Sequence, residues 1–272
     1  MSHRRRPVFQ LLLLVFMGAV LAGCSWFGEK QDITKDWSAA RLYSAAKERL
    51  QNKDYEQAID YYEKLEARYP FGPHSQQAQL DIAYAYYRND EAASAVAAAD
   101  RFIKLHPNHP NVDYVYYLKG LVSFNENLGP LETLTSYMVP WDMSNRDPKA
   151  ARESYDAFRE LVNRFPNSKY TPDSLLRMNY LVNALASHEI HVARHYMKLK
   201  AYVAAANRAL YVLEHYPATP ATEDALVIMV HAYGQLGMTQ LQDDAMRVLT
   251  QNFPQNPTVT GQTNSTAWWK FW

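Results

Sequence analysis

SAARLYSAAKERLQNKDYEQAIDYYEKLEARYP, residues 38–70 of the chain, contains two consecutive apolar patterns of helical period. In each half, apolar residues recur every three or four positions, which places them on one face of a helix. A polar turn at residues 52–54 separates the halves, and Asp54 with Gln57 forms a typical N-cap and capping-box pair. The stretch therefore predicts two amphipathic helices joined by a tight turn.

The end of this stretch, a ring-bearing residue followed by proline, recurs along the chain. The prolines are Pro70, Pro107, Pro166, Pro217 and Pro254, with spacings of 37, 59, 51 and 37 residues. Two spacings lie near the TPR period of about 34 residues. Ala46, Ala58 and Tyr62 fall where a TPR has two small residues and an aromatic, and Gly120 takes the close-packing position in the third unit. We expect an all-α fold, a TPR-like helical-hairpin solenoid of about five repeats.

The repeats divide the chain into segments. We predict N-terminal repeats with a substrate groove over 37–127, and C-terminal repeats for partner docking over 128–254, with an insertion near 128–146. The last unit has Gln242 where alanine is expected, as is common in repeats that end a stack. Residues 255–272 form a polar tail with an aromatic end and no helical period, and we predict that this tail is disordered.

The N-terminus carries an export signal. Arginines 4–6 precede an apolar run over residues 8–21, which is shorter than the roughly 20 apolar residues of a spanning helix. The run ends in Leu-Ala-Gly-Cys24, the pattern of a bacterial lipobox. We predict a lipoprotein signal peptide over 1–23, lipidation at Cys24 and a lipidated linker over 24–36. The alternative is a spacer cysteine after an ordinary signal.

Several classes of function are disfavoured by composition. The chain has 28 basic and 28 acidic residues, and removal of the signal arginines leaves a slight acidic excess, which argues against nucleic-acid binding. Cys24 is the only cysteine, so an internal disulfide is excluded. His191 and His195 are four residues apart, but Val192 stands where a zinc protease needs glutamate. We expect no metal site, no enzyme and no cofactor other than the lipid.

An ordered series of phrases resembles the BamD family of lipoproteins, subunits of the outer-membrane β-barrel assembly (BAM) machinery. The matching residues are 68–73, 75–77, 80–81, 84–87, 100–103, 109–111, 113–115, 146–148, 166–168 and 207–208. Together with the lipobox, they extend over most of residues 24–254. This order is more specific than a match to generic TPR positions.

The resemblance implies a lipid-anchored component on the periplasmic face of the outer membrane, and Ser25 after the lipobox cysteine fits that destination. It further implies that the N-terminal repeats bind unfolded outer-membrane proteins, while the C-terminal repeats dock on the POTRA domains of BamA beside other BAM lipoproteins. The alternative is a periplasmic TPR lipoprotein that serves as an adaptor for cell-wall enzymes.

The candidate binding residues come from these phrases. For substrate we predict Tyr69, Phe71, Gly72, Pro73, Asp81, Tyr84 and Tyr87, and for the partner Asn207 and Arg208. Tyrosines offer apolar faces with polar tips, and the Gly-Pro turn would project an aromatic ring from a loop. The alternatives are packing for the tyrosines, a solvated helix face for Asp81 and a surface arginine without a partner for Arg208. For the aromatic end, residues 268–272, a membrane interface, the substrate groove and no function remain open.

Overall fold

The computed structural model describes residues 32–125 and 148–261, and within these ranges it contains helices and no strands. The helices are α1 (Ala39–Gln51), α2 (Tyr55–Arg68), α3 (Pro73–Arg88), α4 (Ala92–Leu105), α5 (Val112–Asn125), α6 (Pro148–Arg164), α7 (Thr171–Lys198), α8 (Tyr202–His215), α9 (Ala221–Gln235), α10 (Thr239–Asn252) and α11 (Pro257–Thr260). The all-α prediction is confirmed.

Successive helices pack as hairpins, from α1 with α2 to α9 with α10. The first helix of one hairpin also contacts the first helix of another, as α1 does α3, α3 does α5, and α7 does α9. We call α1, α3, α5, α7 and α9 the first-helix layer. This arrangement confirms a TPR-like solenoid, in which stacking covers the apolar face that one hairpin cannot bury alone.

Four of the hairpins turn in the same way. Lys53, Asp90, Lys200 and Gly237 have φ between 59° and 68°, the left-handed conformation that ends many helices. In the first hairpin, the amide of Asp54 then donates to the carbonyl of Arg49 at 2.9 Å. The recurring proline follows seventeen residues after each of these four positions. The backbone conformation of the turn and its distance from the proline therefore recur along the chain. The residue type does not recur, since glycine occupies the left-handed position in only one of the four turns.

Small residues permit the close approach of helices within a hairpin. Ala46 and Ala58 are fully buried where α1 meets α2, as predicted. In the third hairpin, Gly120 lies directly against the ring of Phe158, and its carbonyl accepts a hydrogen bond from Ser154 at 2.9 Å. The close-packing position predicted for Gly120 is confirmed.

The predicted insertion near 128–146 lies outside the described residues. The boundary placed at 127/128 falls within the third hairpin, because α5 and α6 pack together around Phe124, Ala151 and Phe158. The repeats on either side of that boundary therefore share one hydrophobic cluster.

The predicted tail requires a correction over its first residues. Pro257–Thr260 forms a helical turn whose N-cap, Asn256, accepts from the amide of Thr258. The Asn256 side chain also donates to Glu223 at 2.7 Å, and Val259 packs on the last hydrophobic cluster. Tertiary contacts thus fix a segment that has too few apolar residues to show a helical period. The aromatic residues 268–272 lie outside the described residues.

Candidate functional site

Tyrosines from the first-helix layer line a continuous surface across the first repeats. Tyr84 and Tyr87 of α3 lie 6.4 Å apart between ring centroids, and both pack, with Tyr114 of α5, on the first hydrophobic cluster. Tyr114 in turn lies 5.5 Å from Tyr170, at the start of α7. The predicted Tyr84 and Tyr87 are half-buried, so they contribute to packing while still presenting one edge to solvent. We call this surface the tyrosine row.

Asp81 lies on α3 beside the tyrosine row and connects three helices. Its carboxylate accepts hydrogen bonds from the hydroxyls of Tyr43 at 3.0 Å and Tyr62 at 3.3 Å, and from the Gln77 amide at 2.8 Å. Burial, together with the negative charge of Asp81, raises the pKa of both tyrosines. Asp81 therefore does more than solvate a helix face, because its carboxylate already accepts three hydrogen bonds from within the chain. It connects α1, α2 and α3 through the half-buried Tyr43 and the fully buried Tyr62.

Phe71 is the most exposed large apolar residue in the described ranges, with 91% of its surface accessible. Its loop is held from both sides, because Tyr69 donates to the carbonyl of Trp37 at 2.9 Å and Ser75 donates to that of Pro70 at 3.0 Å. Gly72 has φ +108°, a region that L side chains rarely adopt. The loop therefore holds the exposed Phe71 ring in a defined position, as the sequence predicted.

Pro73 completes this loop by starting α3. It occupies the first turn of the helix, where a missing amide hydrogen costs no helical hydrogen bond. His74, the next residue, lies 5.5 Å from Tyr43 between ring centroids. The Phe71 loop is thus connected through His74 to Tyr43, whose hydroxyl donates to Asp81 on α3.

Sequence reasoning missed the far end of the row. Tyr117 stacks on Tyr170 at 4.7 Å, and its hydroxyl donates to Asp173 at 2.7 Å. Although burial acts to raise the pKa of Asp173, hydrogen bonds from Arg177 and Tyr117 lower it overall. A cleft of about 550 Å³ opens between the loops that precede α5 and α7, lined in part by Tyr114 and Tyr170. Tyr117 lies within α5 and Tyr170 directly before the Thr171-Pro172 start of α7, and neither position carries a signal of its own in the sequence, so only the stacking of repeats identifies these residues.

The predicted partner residues lie in the fourth repeat. Asn207 and Arg208 are exposed on α8. Nη1 of Arg208 donates to Oε2 of Glu189 on α7 at 3.0 Å, and Nη2 of Arg152 on α6 lies 3.7 Å from the other Glu189 oxygen. The Glu189 side chain is only 4% exposed, whereas the arginines are 47% and 50% exposed. Arg208 therefore has an intramolecular partner, and Arg152 joins the same cluster.

No group of three or more metal-ligating side chains occurs within residues 32–125 and 148–261. Glu189, two residues before His191 in the sequence, forms ion pairs with Arg152 and Arg208. The same ranges contain no helix long and apolar enough to cross a membrane. Cys24, the predicted lipidation site, lies outside the described residues.

Comparison with known proteins agrees with this architecture. The family YfiO, described as outer membrane lipoprotein, matches residues 35–249. Outer membrane protein assembly factor BamD of Neisseria meningitidis (serogroup A) is 48% identical over 268 residues, covering 97% of this chain and 99% of that protein. The proteins of the same name from Vibrio cholerae and Xylella fastidiosa (strain Temecula1) are 36% and 34% identical, over 90% and 94% of this chain and 98% and 86% of their own length. The chain belongs to the YfiO family of outer membrane lipoproteins, which includes these BamD assembly factors.

Proposed function

We propose that this chain is the BamD-type lipoprotein of an outer-membrane protein assembly machinery. It binds unfolded outer-membrane proteins along the tyrosine row and the Phe71 loop, and it docks on the POTRA domains of BamA through the repeat that contains Asn207 and Arg208. It acts as a binding scaffold without catalysis. Full-length similarity to assembly factors of three genera supports this role.

The observation that carries substrate binding is the exposed ring of Phe71 on its braced loop. Burying an exposed aromatic side chain against a ligand is favourable, and a loop that is already fixed loses little conformational entropy on binding. The tyrosine row extends this contact with rings that have apolar faces and hydroxyl edges. Such a surface suits an extended chain in which aromatic and polar residues alternate.

The proposed lipid anchor would hold this binding surface close to the outer membrane. We propose that Cys24 carries diacylglycerol, that the chain is held at the periplasmic face of the outer membrane, and that other BAM lipoproteins share the complex. Multiple acyl chains contribute roughly 0.8 kcal/mol per buried methylene, which makes such an anchor effectively permanent. The chain needs no cofactor besides this lipid.

The test separates the two binding activities. Phe71→Ala should weaken crosslinking to a peptide from the C-terminus of an outer-membrane barrel, while BamA still copurifies at the wild-type level. Arg208→Gln should have the converse effect. Glutamine is preferred to glutamate here, because a second carboxylate beside the buried Glu189 would itself destabilise the fold.

Leu105→Ala is the matched control for Phe71→Ala, since Leu105 is also a large exposed apolar residue, 55% accessible, at the end of α4. Equal loss of peptide crosslinking in both variants would contradict a specific role for Phe71. Recovery of cell-wall enzymes instead of BamA from solubilised envelopes would favour the adaptor function.

A further inference from the structure

The last two repeats expose several large apolar side chains close together in the fold. Of the twelve such side chains that are exposed within the described residues, six lie between residues 199 and 248. Four of the six form two pairs on the second helices of successive hairpins, Val203 with Leu210 on α8 and Leu241 with Val248 on α10. The members of each pair are seven residues apart, so they lie on one face of their helix. We call these four residues the apolar patch.

The apolar pair on α10 is particular to the last repeat. Leu241 and Val248 stand 13 and 6 residues before Pro254, the recurring proline of their unit. The residues at the same distances before the other four recurring prolines are Gln57 and Lys64, Ser94 and Arg101, Glu153 and Glu160, and Ala204 and Tyr211. Six of these eight are polar or charged, so the stacking of repeats does not require aliphatic residues at these positions. The pair on α10 therefore indicates a contact that only the last repeat makes.

The α10 side of the patch faces the preceding repeat and not the end of the stack. Arg101, the equivalent of Val248 in the second repeat, lies 3.5 Å from Glu66 on the preceding second helix, α2. By the same geometry, Val248 faces toward α8. Glu66 is itself equivalent to Thr250, which places the exposed Thr250 on the opposite side of α10, at the end of the stack. The end of the stack is already closed by α11, whose Val259 packs on the last hydrophobic cluster.

The chain itself contains a segment that suits this patch. Residues 268–272, which lie outside the described residues, comprise four aromatic side chains and Lys270, and we call them the aromatic segment. The step from Gly261, which follows α11, to Trp268 is seven residues, or at most about 24 Å of extended chain. The 14 residues of α10 extend about 21 Å, and α11 packs against that helix. The aromatic segment can therefore reach every part of α10.

Tethering favours the aromatic segment over a separate molecule as the occupant of the patch. A short linker gives an effective concentration in the millimolar range, so even a weak contact between indole rings and aliphatic side chains is populated. The charges also match. Asp244 lies three residues after Leu241 and four before Val248, on the same side of α10, and its carboxylate is 46% exposed beside Arg247 at 2.7 Å. Lys270 is the one charged side chain of the aromatic segment, and its charge is opposite to that of Asp244.

We propose that the aromatic segment folds back onto the apolar patch, so that the chain covers its own exposed surface in the last two repeats. The indole rings pack on Leu241 and Val248, and Lys270 lies beside Asp244. This inference goes beyond the proposed function and does not depend on docking to BamA. It assigns the aromatic segment to the chain itself, in place of the bilayer or the substrate groove.

The experiment measures how fast a water-soluble maleimide labels a cysteine introduced at Val248. The full lipidated chain is held in phospholipid vesicles, and labelling of the chain without an introduced cysteine is subtracted as background. Val248→Cys is compared with a variant that also carries Trp268→Ser, Trp269→Ser, Phe271→Ser and Trp272→Ser. The serine substitutions should speed labelling by about threefold or more, which corresponds to an aromatic segment that is docked for about two-thirds of the time.

Thr250→Cys is the matched control, because Thr250 is exposed on the opposite side of the same helix. Its labelling should not respond to the serine substitutions. Leu241→Ser changes the patch without touching the aromatic segment, and it should make labelling of Val248→Cys faster and insensitive to the serine substitutions. In a second measurement, Ala267→Cys should form an intramolecular disulfide faster with Val248→Cys than with Thr250→Cys.

Four outcomes would overturn the inference. The first is labelling of Val248→Cys at the same rate with and without the aromatic side chains. The second is equal acceleration of labelling at residues 248 and 250, because the serine substitutions would then have loosened the whole repeat. Protection that increases with the density of chains in the vesicles, together with disulfides between chains, would assign the patch to a second copy. Quenching of the segment's tryptophan fluorescence by brominated lipid, with labelling at residue 248 unchanged, would assign the aromatic segment to the bilayer.

Discussion

Gly120→Ala should destabilise the chain, while the same change at Gly234 should not. Both glycines lie within helices, α5 and α9, so each substitution gains about 1 kcal/mol of helix propensity. They differ in what a new methyl group would meet. At Gly120 it would lie within 2.7 Å of three atoms of the Phe158 ring, and that ring is fully buried.

The change in the free energy of unfolding depends on how far the side chain that contacts the new methyl group can move. Inserting a methylene into a packed core costs about 1–3 kcal/mol, and a rigid, enclosed ring puts Gly120→Ala at the upper end. After the helix-propensity gain, we expect a net loss of about 2 kcal/mol. At Gly234 the neighbour is the end of the Gln242 side chain, with Nε2 at 2.8 Å, and this flexible group can swing away. Gly234→Ala should therefore be neutral or stabilising by up to about 1 kcal/mol.

Urea unfolding followed by far-UV circular dichroism measures both effects, and thermal unfolding should show a decrease of about 4–8 °C for Gly120→Ala. Phe158→Leu in the Gly120→Ala background should recover part of the loss, since the smaller side chain relieves the contact. A Gly120→Ala variant as stable as the wild type would refute the packing argument. So would equal destabilisation by the two glycine substitutions.

Three further predictions concern the anchor, the tyrosine network and its pH dependence. Cys24→Ser should leave an unprocessed or soluble periplasmic form in cell fractionation, because the chain has no other thiol to accept the lipid. Normal recovery of this variant in the outer membrane, with an unchanged mass shift from the lipid, would contradict the lipoprotein assignment. Asp81→Ala should lower the free energy of unfolding in urea by about 1–3 kcal/mol, since two tyrosine hydroxyls lose their acceptor. Asp54→Ala, at an exposed helix cap, should lower it by about 0.5–2 kcal/mol. The pKa of Tyr43, Tyr62 and Tyr114 is raised in the folded chain while unfolded tyrosine ionises near pH 10, so the contribution of these tyrosines to stability should be constant below about pH 10 and be lost above it. Parallel measurements of phenolate absorbance and helicity above about pH 10 should show the two transitions together, and full ionisation of tyrosine in a still helical chain would oppose this reasoning.

The sequence alone was sufficient for the repeat architecture, because its determinants are local. Apolar residues at helical spacing, the cap at Asp54 and the recurring proline act over a few residues, so each hairpin is specified without reference to the others. The exposed ring of Phe71 was predictable for the same reason, since Gly72 and Pro73 define the loop by themselves. The lipobox at Cys24 is likewise a local pattern.

The tertiary structure alone revealed which distant residues share a site. Tyr43 and Asp81 are 38 residues apart, and Arg152 meets Arg208 only through Glu189, which lies on another helix. Side-chain periodicity shows which residues lie on one face of a helix, but it does not show which helix that face contacts. The contact depends on the register and rotation of one hairpin against the next, and these are set by packing. The same packing gave Asp81 the role of a structural acceptor, and it fixed the helical turn that follows Asn256, whose stabilising partner, Glu223, is 33 residues away.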